Sequence, residues 1–209
     1  MKRLYLTSSV HLVASRIAND FNVSKDNKLV FITTATEDKK RTSPNWIDED
    51  RNALIKAGFD VFNYTITNKT EKQIREDLKN VNFIYIEGGN TFLLLERAQQ
   101  TNFISIIRDL VLKEEKVYIG TSAGSVIAAP DIYPVYILDK LEMAPNLKGY
   151  KGFHLVDFII FPHWGSDTFK KLYLNNGFDH TYSDNNEIIL LRDNQYVEVK
   201  DDWYRIISV

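Results

Sequence analysis

The chain has 209 residues, 44% of them hydrophobic and 26% charged, which is an ordinary globular composition and enough length for one substantial core. Its 26 basic and 28 acidic residues leave a formal charge of −2 without a dense Lys/Arg block, so nucleic acid is not an expected partner. The absence of cysteine excludes disulfides, thiolate metal sites and a thiol nucleophile; any nucleophile must be oxygen or nitrogen.

At the amino end, Lys2 and Arg3 lead into an apolar stretch broken at once by Thr7, Ser8 and Ser9, which lacks the h-region of a signal peptide. No apolar run approaches the ~18 residues of a membrane helix. A cytoplasmic protein without a membrane partner is expected, and the sequons at Asn22, Asn63 and Asn68 are read as chance matches. In chain order, apolar, β-branched and aromatic runs predict strands over 3–7, 28–33, 60–64, 83–87 and 116–120. Helical spacing predicts helices over 12–21, 45–57, 69–79 and 91–112, the last broken near Thr101. Strict alternation of the two implies right-handed crossovers and a mostly parallel sheet covered on both faces. The fold class is α/β, in one domain over 1–209. Beyond Ser122 a strand over 155–161, a helix over 167–174 and short strands over 187–192, 196–200 and 204–208 are expected, the last forming an antiparallel appendix. The irregular segment 130–152 reads as a long loop.

The chemistry concentrates in Gly120-Thr121-Ser122-Ala123-Gly124, a G-x-S-x-G placed between a strand and small helix-compatible residues. Composition alone would produce such a match only ~0.02 times, and the strand-to-helix context is that of a nucleophile elbow. There the flanking glycines make room for a sharp turn that exposes the serine hydroxyl. The helix that follows aims free N–H groups at developing negative charge, with Ala123 N–H the first oxyanion donor. The bland alternative is a tight turn in which Ser122 caps a helix. A serine needs a base, and the histidines are His11, His154, His163 and His180. His163 follows an apolar strand, on the sheet edge where α/β active sites gather; His154 precedes that strand, and His11 and His180 sit at a helix start and in a polar loop. His163 is the predicted base. The carboxylates between the elbow and His163 are Asp131, Asp139, Glu142 and Asp157. Turn or capping roles suit Asp131 and Asp157, which leaves Asp139 to orient the imidazole.

Glu87-Gly88-Gly89-Asn90-Thr91 closes another strand at the same edge, and Gly88 or Gly89 is expected to add a second oxyanion N–H. Asn90 is a candidate for substrate binding or for an N-cap. Of the tryptophans, Trp46 and Trp203 read as core or rim, and Trp164 as a substrate contact beside His163. The spacing fits neither a phosphate loop nor a dinucleotide fingerprint, and no metal motif occurs. No cofactor and no metal are expected.

Taken together, Gly88-Gly89-Asn90-Thr91-Phe92, the elbow with Ser125, Pro162-His163-Trp164, the opening Leu4-Tyr5-Leu6-Thr7-Ser8-Ser9, Ala144-Pro145-Asn146-Leu147 and Leu155-Val156-Asp157-Phe158 resemble peptidase family S51. That is the dipeptidase E and cyanophycinase group of serine peptidases, and the likeness is greatest to its short bacterial members. The resemblance implies a three-layer fold like the class I glutamine amidotransferase domain, with serine where those enzymes carry cysteine. It also implies hydrolysis of peptide bonds in small peptides, Asp-X dipeptides among them. By position, Ser122 matches the family nucleophile, His163 its histidine and Asp139 its acid. Two other functions remain: an esterase or other acyl hydrolase of α/β-hydrolase type, since the order Ser122, Asp139, His163 is also theirs, and a catalytically silent module that binds small peptides.

Overall fold

The computed structural model describes residues 1–21, 27–37, 45–175, 181 and 187–209. His180 and Asn22 lie outside these. The first half alternates as expected: β1 (Arg3–Thr7), α1 (Val10–Ala18), β2 (Lys28–Ile32), α2 (Asn45–Lys56), β3 (Asp60–Tyr64), α3 (Glu71–Leu78), β4 (Phe83–Ile86), α4 (Thr91–Gln100), α5 (Phe103–Leu112) and β5 (Val117–Thr121). The second half adds α6 (Ala123–Val126), β6 (Phe158–Phe161), α7 (Asp167–Asn175), β7 (Glu187–Leu190), β8 (Gln195–Lys200) and β9 (Trp203–Ser208).

Local chemistry sets several boundaries. Thr70 and Gln73 form a reciprocal capping box that starts α3. The break between α4 and α5 falls at Asn102, whose φ of 57° is left-handed, a conformation that asparagine tolerates better than most residues.

Seven strands form one sheet in the order β3-β2-β4-β5-β1-β8-β9. β1 to β5 run parallel, and β8 and β9 are antiparallel. Side chains alternate across it with the two-residue period of a strand. Leu4, Leu6, Val30, Ile32, Ile84 and Ile86 face the layer of α3, α4, α5 and α6. Tyr5, Leu29, Phe31, Phe83, Tyr85 and Ile119 face the layer of α1 and α2. This is the expected three-layer α/β sandwich.

Of the carboxyl-terminal strands, β8 and β9 form the expected antiparallel pair, and β7 stands apart from them. β8 and β9 extend the main sheet from β1 as a hairpin turned at Asp201, whose φ is 52°. β7 pairs parallel with β6 in a separate two-stranded sheet. The reason is the connection: α7 lies between β6 and β7, and a helix returns a strand parallel, where a tight turn returns it antiparallel. The irregular segment 130–152 straps across α4, held by Asn90 Nδ2 donating to Lys140 O (2.9 Å) and Lys148 N to Gln99 Oε1 (2.8 Å). Among the described residues, no helix is long and apolar enough to cross a membrane.

Candidate active site

β1, β4 and β5 deliver their following loops to one edge of the sheet, where a cavity of 710 Å³ opens. Ser122 sits there, between β5 and α6, with φ 48° and ψ −111°. Such a backbone is strained for a residue with a Cβ and persists only where its surroundings hold it. They do so firmly. Ser122 N donates to Thr7 O (3.0 Å), Ser125 Oγ to Thr7 O (2.7 Å) and Gly120 O (2.8 Å), and Thr7 Oγ1 to Gly120 O (2.9 Å). The glycines are steric necessities: a Cβ on Gly124 would lie 2.1 Å from Ile86 O, and one on Gly120 2.5 Å from Gly124 O.

His163 follows β6 and reaches this serine, with Nε2 3.0 Å from Ser122 Oγ. Its other nitrogen, Nδ1, is 2.6 Å from Asp193 Oδ1. Phe169 from α7 stacks on the imidazole, ring centres 4.4 Å apart. Ser8 braces the pair: its hydroxyl donates to Asp193 Oδ1 (2.8 Å) and accepts the backbone N–H of His163 (2.7 Å), while Ser9 Oγ also donates to Asp193 (3.3 Å). Hydrogen bonds from His163 and Ser8 stabilise the charged form of Asp193 and hold its carboxyl below the ordinary range, against the opposing effect of partial burial.

Four expected positions are corrected. Asp139 does not meet His163; it lines the opposite side of the cavity and caps α4, its Oδ2 accepting from Thr91 N (2.9 Å) and Thr91 Oγ1 (2.6 Å). The amide of Gly88 is taken: it donates to Glu87 Oε1 (2.7 Å). Gly88 instead provides closeness, since a Cβ there would lie 3.2 Å from Ser122 Cβ. Asn90 and Trp164 are not among the described cavity residues. Asn90 accepts from Leu93 N (2.8 Å) as the N-cap of α4, and Trp164 packs edge-on against Tyr173 at 5.3 Å. Trp46, read as core or rim, lines the cavity. Gly89 and Ala123 line the cavity beside Ser122. Gly89, with φ 135°, admits no Cβ because Ala35 O would be 2.4 Å away. His154 pairs instead with Asp157 on the surface (2.9 Å).

Asp193 escaped the sequence reading because the third residue was sought between Ser122 and His163. Its signal was available: it directly follows the apolar run 187–192, at the end of a strand. Beside the cavity lies a second ionisable cluster. Asp50 of α2 accepts from His11 N (3.2 Å), His11 Nδ1 (2.7 Å) and Tyr85 OH (3.1 Å). Glu87 lies next to it, and burial, reinforced by the Asp50 charge, pushes its carboxyl well above the ordinary range. Glu87 Oε2 has no hydrogen-bond partner among the described residues. Among the described residues, no group of three or more His, Asp or Glu could hold a metal.

Residues 5–207 match peptidase family S51. The chain belongs to that family. This S51 peptidase is 33% identical over 204 residues to an uncharacterized peptidase of Listeria innocua, a match covering 94% of this chain and 96% of the relative. It is 32% identical over 114 residues to a Drosophila melanogaster protein named "Probable alpha-aspartyl dipeptidase", covering 54% of this chain and 44% of that one. A crystal structure from Listeria monocytogenes, described as a "Putative Peptidase E Protein", superposes with a TM-score of 0.88 at 27% identity, covering 100% of this chain and 99% of that one. The S51 fold is of the class I glutamine amidotransferase type, as the sequence resemblance implied.

Proposed function

We propose that this S51 peptidase hydrolyses small peptides by nucleophilic attack of Ser122, with His163 as general base and acid and Asp193 as the residue that orients it. The observation carrying this reading is the continuous line Ser122 Oγ, His163 Nε2, His163 Nδ1, Asp193 Oδ1, with links of 3.0 and 2.6 Å. A carboxylate at Nδ1 fixes the proton there and leaves the Nε2 lone pair facing the hydroxyl. Attack on the peptide carbonyl transfers the serine proton to Nε2, and the imidazolium formed is stabilised by Asp193. Breakdown of the tetrahedral intermediate returns that proton to the leaving amine; water, deprotonated in turn by His163, then releases the acyl group. Among the described residues the N–H groups of Gly89 and Ala123 donate no backbone hydrogen bond, and they are the proposed oxyanion donors, the second at the start of α6.

The α/β-hydrolase alternative loses its support, because the acid on His163 follows it in the chain instead of preceding it. A silent binding module has no need of the aligned hydrogen-bonded line. A cytoplasmic setting is part of the same proposal, in keeping with a cysteine-free chain. Incubation with a dipeptide library that includes Asp-X members, read by mass spectrometry, tests the reading. Cleavage products are expected from the wild type, and Ser122→Ala should lower the rate by a factor of ~10³ or more. Equal product from both proteins refutes the assignment.

A further inference from the structure

The cavity has two unlike walls on either side of Ser122. Thr91, Leu138 and Asp139 line it from the layer of α4 and the strap, and His11, Trp46 and Asp50 from the layer of α1 and α2. Among the described residues that line it there is no lysine or arginine; His11 and His163 are the groups able to carry positive charge. His163 is engaged with Ser122 and Asp193. His11 has no part in that line, yet it is held as firmly.

Asp50, whose side chain is 3% exposed, receives hydrogens from the backbone and the ring Nδ1 of His11 and from Tyr85. With Nδ1 committed to Asp50, any hydrogen on Nε2 is left for a cavity occupant, since Nε2 has no partner among the described residues. The neighbours favour the charged imidazole. The hydrogen bond to Asp50 raises the His11 value above the ordinary histidine range, burial opposes it, and the charges of Asp50, Glu49 and Asp193 add to the rise. Burial pushes the Glu87 carboxyl well above the ordinary range, which disfavours a second charge beside Asp50. The cluster also reaches the attack point mechanically, because Glu87 holds the Gly88 amide and Gly88 packs on Ser122.

We infer that His11 is a substrate-binding residue that takes a carboxylate of the peptide, by a charge-assisted hydrogen bond from Nε2, on the α1/α2 side of the cavity. The assignment rests on the peptide-hydrolysis reading for its ligand. Carboxylate chemistry admits two sources, an acidic side chain or the carboxyl terminus of a dipeptide, and the wall holding Asp139 repels either one. An imidazolium anchored from behind by a buried carboxylate donates with little loss of rotamer freedom, the condition under which such a contact is effective.

The test measures binding by calorimetry in the Ser122→Ala protein, so that it does not depend on turnover, while wild-type turnover judges the hydrolysis reading separately. Four ligands separate the sources: aspartyl-leucine, asparaginyl-leucine, and the amide of each. One carboxylate is expected to tighten binding ~tenfold or more. Adding His11→Phe should shrink that gap to less than ~twofold, and the pair whose gap collapses identifies which carboxylate His11 holds. A gap that survives in both pairs, or no gap with His11 present, overturns the inference. A second readout needs no substitution at His11. The gap should be full at about pH 5.5 and close as pH rises through the raised His11 value, since the charged donor is then lost. A gap unchanged up to about pH 9 overturns it as well.

Discussion

Asp193→Asn is expected to lower kcat by ~10³ to 10⁴ while leaving the fold intact, the loss found when an amide replaces the carboxylate behind a catalytic imidazole. The physical cause is the tautomer. An amide at 2.6 Å from Nδ1 can present its NH₂ group there, which moves the imidazole proton to Nε2 and removes the lone pair that must accept the serine hydrogen. Ser8 and Ser9 donate to the same Asp193 oxygen that meets Nδ1 and must turn to accept from the NH₂ group; an amide that instead keeps its oxygen at Nδ1 still loses the charge that stabilises the imidazolium. Asp139→Asn should by contrast alter kcat less than ~threefold, because its bonds to Thr91 cap α4 and a neutral cap loses only part of a helix-end interaction. Steady-state kinetics on the best dipeptide substrate compares the two. Equal losses, or a larger loss at Asp139, would return the orienting role to the strap.

The second large effect concerns Gly124→Ala. Gly124 needs no left-handed backbone, so its requirement is one of space alone: the added methyl would meet Ile86 O at 2.1 Å and Ile86 C at 2.8 Å. Both are backbone atoms of β4, inside the sheet, and neither can move without displacing the hydrogen-bonded ladder to β5. Tight overpacking of this kind costs ~3 kcal/mol, which in a chain of this size lowers Tm by roughly 6 to 12 °C. Activity should fall further than stability, since any retreat of α6 from β4 moves the Ala123 N–H relative to the Gly89 loop. Gly149→Ala supplies the contrast: a Cβ there meets nothing within 4 Å, and only its φ of 92° resists, at about 1 kcal/mol. Thermal melts of the two variants, with residual activity, decide it; a Gly124→Ala protein as stable and active as the wild type contradicts the close-approach account.

Much of the architecture was legible because it rests on local patterning. Apolar alternation and helix spacing located the elements of the sandwich, and G-x-S-x-G after an apolar strand placed Ser122 on the sheet edge where the structure has it. The same logic of strand ends picked out His163, whose Nε2 lies 3.0 Å from Ser122 Oγ. What the sequence hid depends on contacts between distant segments. The partner of His163 comes from the turn after β7, 30 residues downstream, and chain order carries no rule for which carboxylate arrives there. Gly88 and Gly89 look alike as letters, and only the position of the buried Glu87 side chain separates a committed amide from an open one. His11 read as a helix-start histidine, which it is; its link to Asp50 on another helix could not be seen from spacing.

The central claim is that the hydroxyl of Ser122 is made nucleophilic by His163. A fluorophosphonate serine probe followed by peptide mapping measures this directly. The account predicts a single adduct, on Ser122, whose rate of formation falls by a factor of ~10² or more in His163→Ala. Labelling at another residue, or at an undiminished rate without the imidazole, would contradict it.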